Sequence, residues 1–420
     1  MSLQFSRLGA RQKESDIARL MTVALQRPDL LSLAAGFTDN QTLPLAELTE
    51  VAVQLGEEGE RSVLQYGANQ GNLKLRQLMT DRLQRQDGVD WDYGIERSFV
   101  SNGSQQALYL AVQTLCDPGD IVLVEQPTYF VFLEMLRGLG VEAVSLPVGS
   151  GGEIDTVALA AMLEAYAKAG EIERVKAVYL ISYYANPSGR CISRDCKQSV
   201  LEILARYEGS IALFEDAAYR EMYYERPFAA ESAVALEKAN RVVPVFYSTT
   251  LTKPFATGLK VGFGYCTHED WLARMMAIKG QQDFGTANYN QALLAKSLET
   301  GLFDRHLGVL RASYFAKMRA LHVRLGETLG ELGWSWEQPE GGLYLWLTAP
   351  EGLETGFESA FHEAAIEAGV MYVPGELCQA EGRPRNRARL SFGVLGLAEL
   401  EEAGDRFCAA AKQIGSAQIS

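Results

Sequence analysis

The chain has 420 residues, a length that usually requires more than one hydrophobic core. Apolar residues make up 47% of it, enough to build such cores. The 39 Lys and Arg residues against 53 Asp and Glu give a net charge of −14, which argues against broad binding to nucleic acid or to an anionic membrane surface. Six scattered cysteines without a CxxC pair, and four histidines without metal-ligand spacing, indicate neither a disulfide scaffold nor a metal site. Without a signal-peptide pattern or a run of ~20 apolar residues, we expect a cytoplasmic protein.

The predicted elements begin with a short helix capped by Ser15 and an extended arm, LLSLAAGFTDNQTLP, whose small residues allow close backbone approach. From about residue 98 to 267, seven β-rich runs follow, most of them separated by helix-length stretches such as QQALYLAVQTLC. This alternation predicts an α/β fold with a mainly parallel sheet, helices on both faces and ligands at the carboxyl ends of the strands.

The last third of the chain follows a different pattern. About sixty mostly helical residues precede a strand at GGLYLWLTA, a helix over EGLETGFESAFHEAAIEAG, a strand at ARLSFGV and a closing helix, which together predict a small α+β unit. We therefore expect an N-terminal helix and arm (1–45) that join the small domain, a large domain (46–300) and a small C-terminal α+β domain (301–420).

A lysine follows the end of a predicted strand in YSTTLTKPFATGLKVGFGY. Lys253 could form an imine with an aldehyde if its surroundings lower its pKa. The hydroxyls of Thr250 and Thr252 suit a phosphate, and Lys260 adds a second positive charge. Alone, this segment fits a solvated lysine on a turn equally well.

Two further segments carry polar groups at strand ends. In SIALFEDAAYRE, Asp216 ends an apolar strand and Tyr219 follows; a carboxylate there could keep a pyridine nitrogen protonated, or could simply cap a helix. In VSNGSQQALYLAV, backbone N–H groups at a helix N-terminus could bind a phosphate, or Ser104 could be an ordinary cap.

Three single residues complete the candidates. Tyr129 in EQPTYFVF could stack on a planar ring or pack in the core. Asn186 in SYYANPSGR lies in a strong turn signal and also offers an amide donor. Arg389 in NRARLSF could bind a carboxylate bidentately or form a surface ion pair.

In their order along the chain, these segments resemble the class I/II aminotransferases of pyridoxal-phosphate (PLP) fold type I, in particular the branch that includes the 2-aminoadipate and kynurenine aminotransferases. The resemblance covers nearly the whole chain, from Ser15 and AAGFTDNQTLP through LQYGANQGNLKLR, SNGSQQAL, EQPTYF, NPSG, EDAAY, TLTK, PEGGLYLW and YVPGE to NRARLSF. It implies an aspartate aminotransferase-like fold with a seven-stranded sheet, PLP as cofactor, and a homodimer whose active sites are shared across the interface.

The resemblance also implies roles for the residues around the cofactor ring. Lys253 would hold PLP as a Schiff base and then move the proton between the substrate Cα and the cofactor. Asp216 would pair with the pyridinium nitrogen, Asn186 and Tyr219 would bond the phenolic oxygen, and Tyr129 would stack on the ring.

Other roles concern the phosphate and the substrate. The resemblance implies that the phosphate is held by Ser104, Gln105, Thr250 and Thr252. Tyr66 would reach the phosphate or substrate of the neighbouring subunit. Arg389 would bind the substrate α-carboxylate, with Asn186 beside it, and Gly36 would line the pocket.

The sequence departs from the family at Lys260, where arginine is usual; lysine keeps the charge but loses the planar fork, so we expect a different hold on the phosphate. Thr257 replaces the usual proline, and AAGFTDN lacks the arm's usual second glycine and proline. This arm shapes the side-chain pocket in the family, so its sequence leaves two substrate classes open. An acidic side chain could contact Arg7, Arg11 and Arg19. An aromatic or aliphatic side chain could contact Phe37 and Leu43.

The expected reaction moves an amino group from an α-amino acid to a 2-oxo acid by ping-pong chemistry. The alternative within the fold is a PLP-dependent lyase, decarboxylase or oxidase acting on an amino acid. A third reading, the effector-sensing half of a transcription regulator, is disfavoured by the acidic charge and by a first helix near Ser15 that leaves no room for a DNA-binding module.

Overall fold

The computed structural model describes residues 3–27, 29–149, 152–237 and 242–417. Within these ranges the helices are, in chain order, α1 (Arg7–Arg11), α2 (Asp16–Gln26), α3 (Leu45–Glu58), α4 (Leu73–Asp87), α5 (Gly103–Leu115), α6 (Phe130–Leu139), α7 (Thr156–Ala169), α8 (Arg194–Ala205), α9 (Ala233–Glu237), α10 (Glu269–Gln282), α11 (Asn288–Glu299), α12 (Leu302–Leu329), α13 (Ala360–Glu367) and α14 (Leu397–Ala417). The strands are β1 (Leu31–Ser32), β2 (Ser98–Asn102), β3 (Ile121–Val124), β4 (Glu142–Ser145), β5 (Val175–Ile181), β6 (Ala212–Asp216), β7 (Val245–Thr250), β8 (Val261–Cys266), β9 (Tyr344–Thr348), β10 (Val370–Met371), β11 (Val373–Pro374) and β12 (Arg387–Ser391).

The central sheet has seven strands in the order β2-β8-β7-β6-β5-β3-β4. Strands β3 to β7 are parallel, whereas β8 runs antiparallel to both of its neighbours, β2 and β7. These are the seven β-rich runs of the sequence, so the predicted α/β class and its mainly parallel sheet are confirmed. The carboxyl ends of β3, β5, β6 and β7 consequently lie along one edge.

Alternate residues of the central strands point into two separate hydrophobic cores. Leu213 of β6 belongs to the core that also contains residues of α7 and α8, whereas Phe214 belongs to the core with residues of α5, α6 and α10. This is the period of two expected for a strand buried on both faces. The sheet thus has helices on both sides, and adjacent side chains of one strand meet different surroundings.

The C-terminal part of the chain contains a second, antiparallel sheet in the order β11-β12-β9. The arm reaches this part, because β1 pairs in parallel with β10, with Leu31 opposite Val370. This pairing agrees with an arm that joins the smaller unit. The boundaries at residues 45 and 300 stay a prediction.

Local departures from the predicted elements have simple causes. The helix predicted over EGLETGFESAFHEAAIEAG is too long: α13 spans only Ala360–Glu367, because Ser359 forms its N-cap, accepting a hydrogen bond from the His362 N–H at 3.1 Å. The cap at Ser15 is confirmed by the Ala18 N–H donating to its hydroxyl at 3.2 Å, and α1 precedes it unpredicted. Ser104 is not a cap, since Asn102 occupies that position of α5.

Across the described ranges, no helix is long and apolar enough to span a membrane.

Candidate active site

Polar side chains gather where the parallel strands end. Asp216 is the last residue of β6, and Lys253 follows β7 by three residues. Asn186 lies in the turn after β5, and Tyr129 lies between β3 and α6. The sequence-predicted residues therefore come from four neighbouring strands of the sheet, at the edge where ligands bind in open α/β sheets.

Lys253 is held by the N-terminal arm. Its Nζ donates a hydrogen bond to the carbonyl oxygen of Gly36, and the side chain is half-buried. Burial lowers the pKa of Lys253 to about 8, with smaller contributions from the positive charges of Arg389 and Lys260. A pKa lowered in this way leaves more of the amine neutral than in an ordinary lysine, and the neutral amine is the form that acts as a nucleophile and base.

Arg389 of β12 is only 2% exposed and is bound to the same arm. Its Nη2 donates to the carbonyl oxygen of Ala34 at 2.6 Å, and its Nη1 donates to Oδ1 of Asn186 at 3.0 Å. Its buried Nε has no hydrogen-bond partner, and in the described part of the chain no carboxylate forms an ion pair with it. A buried guanidinium paired only with neutral groups is a ready site for a carboxylate ligand.

Asp216 is buried at the end of β6. Its Oδ2 accepts a hydrogen bond from the Tyr179 hydroxyl at 2.8 Å, and its Oδ1 accepts one from the Ala218 N–H at 3.0 Å. Burial raises the pKa of Asp216 to about 6, and the two hydrogen bonds act against that rise. Both donors are neutral, so the charge of the carboxylate stays available to a cation.

Tyr219 and Tyr129 lie near Asp216 and Arg389. Tyr219 is buried, and its hydroxyl is 2.9 Å from the hydroxyl of Tyr344. Tyr129 is half-buried at the N-cap of α6; burial raises the pKa of its hydroxyl, followed by the effects of Tyr344 and Asp216. The predicted ring-stacking residue is therefore close to the predicted counter-ion.

The predicted phosphate residues lie around the N-terminus of α5 and the end of β7. A Cβ on Gly262 of β8 would collide with the backbone at Gly103 and Ser104, so a glycine there lets α5 approach the sheet. The Thr250 hydroxyl accepts a hydrogen bond from the Thr252 N–H at 3.1 Å, and the buried Thr252 hydroxyl has no hydrogen-bond partner in the described part of the chain. A helix N-terminus beside an unpaired hydroxyl suits an anion.

The remaining phosphate candidates are less enclosed. Ser104 is half-buried, whereas Gln105 and Lys260 are exposed. Lys260 has a φ of +57°, in the left-handed region, and its charge acts on the pKa of Lys253. Its ammonium is thus close enough to influence the site without being buried in it.

Tyr66, by contrast, lies on the surface of the protein. It is 80% exposed, and its ring meets only the edge of Phe284, itself 68% exposed, with centroids 5.7 Å apart. Two neighbouring exposed aromatic rings are unusual on a free surface.

Two residues that touch the predicted site were missed from the sequence. Tyr179 donates to Asp216, and Tyr344 touches Tyr219 and Gly36. A signal existed for Tyr179, since it lies two residues before Ile181, which pairs with Asp216, and so faces the same side of the sheet. Tyr344 comes from a different sheet, and no local pattern connects it to β6.

Comparison with known proteins places this geometry in a family. The model for "Aminotransferase class I and II" matches residues 28–407, so the chain belongs to the class I and II aminotransferases. It is 28% identical to the aromatic-amino-acid aminotransferase 1 of Thermococcus litoralis over 411 residues, covering 97% of this chain and 94% of that protein.

Solved structures show the same architecture. The kynurenine aminotransferase of Pyrococcus horikoshii aligns with a TM-score of 0.88 at 28% identity, over 98% of this chain and 97% of its own. The α-aminoadipate aminotransferase of Thermus thermophilus, complexed with N-(5'-phosphopyridoxyl)-L-leucine, aligns with a TM-score of 0.82 at 28% identity, over 98% and 97%. The aspartate aminotransferase-like, fold type I assignment is confirmed.

The enzyme is a PLP-dependent aminotransferase that transfers the amino group of an α-amino acid to a 2-oxo acid. The residues present fit the cofactor: a buried carboxylate and a buried Thr252 hydroxyl that have, respectively, no cationic and no hydrogen-bond partner among the described residues, and a lysine whose pKa is about 8. Nothing favours the alternative of a lyase, decarboxylase or oxidase.

Proposed function

We propose that Lys253 is the residue that attaches PLP as a Schiff base and that moves the substrate proton, with Arg389 as the carboxylate site. One observation carries the proposal: Lys253 donates a hydrogen bond to the carbonyl of Gly36, and Arg389 donates one to the carbonyl of Ala34. Both cationic side chains therefore contact the arm within two residues of each other. An amino acid bound through its carboxylate at Arg389 would therefore have its Cα near the amine of Lys253.

When bound, PLP supplies an aldehyde that accepts the amino group and a protonated pyridine that withdraws electrons. Asp216 keeps that pyridine protonated, since pairing with a cation stabilises the charged carboxylate. Tyr129 would stack on the ring, and Asn186 and Tyr219 would donate to the phenolic oxygen. The phosphate would be held by Ser104, Gln105, Thr250, Thr252 and the exposed Lys260.

The substrate side of the proposal uses three residues. Arg389 fixes the α-carboxylate, and its bond to Asn186 orients the guanidinium. Gly36 lines the pocket, and the carbonyl that it offers to Lys253 holds the amine in place in the cofactor-free protein. Lys253, with a pKa near 8, then takes the proton from Cα as a general base and returns it.

A homodimer with shared active sites completes the proposal. Tyr66 and Phe284 form an exposed aromatic pair that a second subunit would cover, and Tyr66 would then reach the partner's site. Sedimentation should give twice the mass of the 420-residue chain. The division at residues 45 and 300, and the cytoplasmic location, are parts of this proposal that rest on the sequence.

We propose further that the substrate side chain is aromatic or aliphatic. Phe130 lies 5.3 Å beneath the Arg389 guanidinium, and Phe37, next to Gly36, is 51% exposed. Two of the arginines that precede the arm have other partners, since Arg11 bonds the Gly138 carbonyl at the end of α6 and Arg19 lies over Phe357. Two relatives, named for aromatic amino acids and kynurenine, agree with this preference, whereas the α-aminoadipate aminotransferase is named for an acidic substrate. Fastest conversion of PLP to its amino form by 2-aminoadipate or aspartate would contradict it.

The decisive variant for the attachment site is Lys253→Ala, with Lys260→Ala as the matched control. We expect Lys253→Ala to lose the visible absorbance of an imine and to lose turnover, because no other described amine faces the arm carbonyl. Lys260→Ala should keep the absorbance and bind PLP less tightly. An imine band and full turnover in Lys253→Ala would show that the proposal is wrong.

A further inference from the structure

Tyr344 of β9 contacts three residues of the proposed site at once. It is 2% exposed, and its hydroxyl lies 2.9 Å from that of Tyr219. Its ring lies 4.5 Å from the guanidinium carbon of Arg389, and a Cβ built on Gly36 would be 2.8 Å from its hydroxyl. Tyr344 thus joins the phenolic, carboxylate and arm parts of the site.

The sheet register explains how one tyrosine reaches Arg389. Tyr344 pairs with Ser391 across the antiparallel β9–β12 ladder, and Arg389 lies two residues before Ser391. Tyr344 and Arg389 are therefore diagonal neighbours on one face of the small sheet, within the reach of long side chains. An aromatic face beneath a desolvated guanidinium attracts it.

The contact with Tyr219 fixes the direction of one proton. Each tyrosine has one hydroxyl proton, so Tyr219 can donate either to Tyr344 or to the phenolic oxygen of the cofactor, but not fully to both. If Tyr219 donates to the cofactor, Tyr344 must donate to Tyr219. Such a chain polarises its members, and the second donor strengthens the first.

The fit at Gly36 is part of the same arrangement. Any side chain at position 36 would displace the Tyr344 hydroxyl from its place beside Tyr219, because its Cβ alone would be 2.8 Å away. The glycine of the arm therefore leaves room for the hydroxyl as well as for substrate.

We propose that Tyr344 is a positioning residue with two separable parts: its hydroxyl directs and strengthens the hydrogen bond that Tyr219 donates to PLP, and its ring supports Arg389 in binding the substrate carboxylate. This inference rests on the proposed roles of Tyr219 and Arg389. It assigns the hydroxyl to the electronics of the cofactor and the ring to substrate affinity.

The hydroxyl is tested by Tyr344→Phe in the PLP-loaded enzyme. Weaker donation to the phenolic oxygen leaves more negative charge there, which holds the nearby imine proton more tightly, so the pKa of the visible absorbance transition should rise. We expect about 10–30% of the rise caused by Tyr219→Phe, with a lower kcat and an unchanged KM. In a Tyr219→Phe background, Tyr344→Phe should cause no further rise.

The ring is tested by Tyr344→Leu, which should raise KM for the amino acid several-fold beyond the value for Tyr344→Phe. The matched control is Tyr372→Phe, which removes another buried hydroxyl. That hydroxyl donates to the Thr355 carbonyl at a distance of 2.7 Å and is not part of the proposed site. This control should change neither the absorbance titration nor KM. An equal change in the control would mean that the effect is structural and would overturn the inference.

Two results separate this inference from the proposed function. An absorbance titration that is unaltered in Tyr344→Phe, or altered equally with and without Tyr219, would overturn the role of the Tyr344 hydroxyl while Lys253→Ala still abolishes the imine band. An imine band that survives Lys253→Ala would instead contradict the proposed function itself.

Discussion

Glu215 and Asp216, the last two residues of β6, are buried carboxyl groups on opposite faces of the sheet. Glu215 meets a cation of the chain, with Nζ of Lys197 3.3 Å from its Oε1, and it accepts the Ala233 N–H at 2.6 Å. Asp216 meets only neutral donors, the Tyr179 hydroxyl and the Ala218 N–H, within the described ranges. One carboxylate is neutralised by the protein, and the other is left for a cation from outside.

This difference separates a structural acid from a functional one. A buried charge is stable when it is paired and hydrogen-bonded, and removing its partner is costly. The Lys197–Glu215 pair satisfies that rule without any ligand. Asp216 satisfies it only when a cation arrives, which is why burial raises its pKa to about 6 in the protein alone.

The largest expected effect is on catalysis. Asp216→Asn removes the charge that would keep the cofactor nitrogen protonated, so kcat should fall by about 10³-fold, the size found for a preorganised charge-stabilising group. Glu215→Gln, the matched change one residue away, should leave kcat per PLP-loaded molecule within a few-fold. Steady-state kinetics on both variants measures this, and an equal loss in both would remove the distinction drawn here.

The same two variants should change stability in opposite directions in cofactor-free protein. Glu215→Gln leaves Lys197 as an unpaired buried cation and should lower the free energy of unfolding by about 3–5 kcal/mol. For Asp216 the folded-state pKa is raised to about 6, so the folded protein binds more protons from about pH 4 to 6 and loses stability as the pH rises through that range.

Asp216→Asn removes this loss and should therefore stabilise the cofactor-free protein at pH 8, by ~1–2 kcal/mol, allowing for the less suitable hydrogen bonds of an amide. Urea unfolding at pH 8 and at pH 5 is the measurement. The gain should be smaller at pH 5, where Asp216 is largely protonated. A gain that is equal at both pH values would mean that the carboxyl charge is not its cause.

Much of the site could be predicted from the sequence because its residues follow strands or open them. Lys253, Asp216 and Asn186 each stand just after a β-rich run, and strand ends in a parallel sheet share one edge. Tyr344 could not be found this way, since its contact with Tyr219 joins two different sheets. The sequence allowed Ser104 to be either the N-cap of α5 or a residue of its first turn, because these positions lie only two residues apart. In the structure Asn102 is the N-cap.

The smallest expected effect sharpens the Asp216 side of the comparison. Tyr179→Phe keeps the ring stacked on Phe132, with centroids 3.9 Å apart, but removes a hydrogen bond that lowers the pKa of Asp216. Since a pyridinium is attracted only by the ionised Asp216, the acidic limb of the pH profile for PLP binding to the cofactor-free protein should move upward by about one pH unit. On the other face, Tyr183→Phe removes a hydroxyl 3.1 Å from Lys197 and should lower stability without moving that limb. An acidic limb that moves only in Tyr183→Phe would reverse the assignment of the two faces.

The central claim is that Lys253 is the amine that carries PLP. Borohydride reduction of the PLP-loaded enzyme converts the imine to a stable amine, and digestion with mass spectrometry then locates the phosphopyridoxyl group. We expect this mass on the peptide that contains Lys253, because its Nζ is held at the arm carbonyl with a pKa of about 8. The same mass on Lys260, or on any other lysine, would contradict the account.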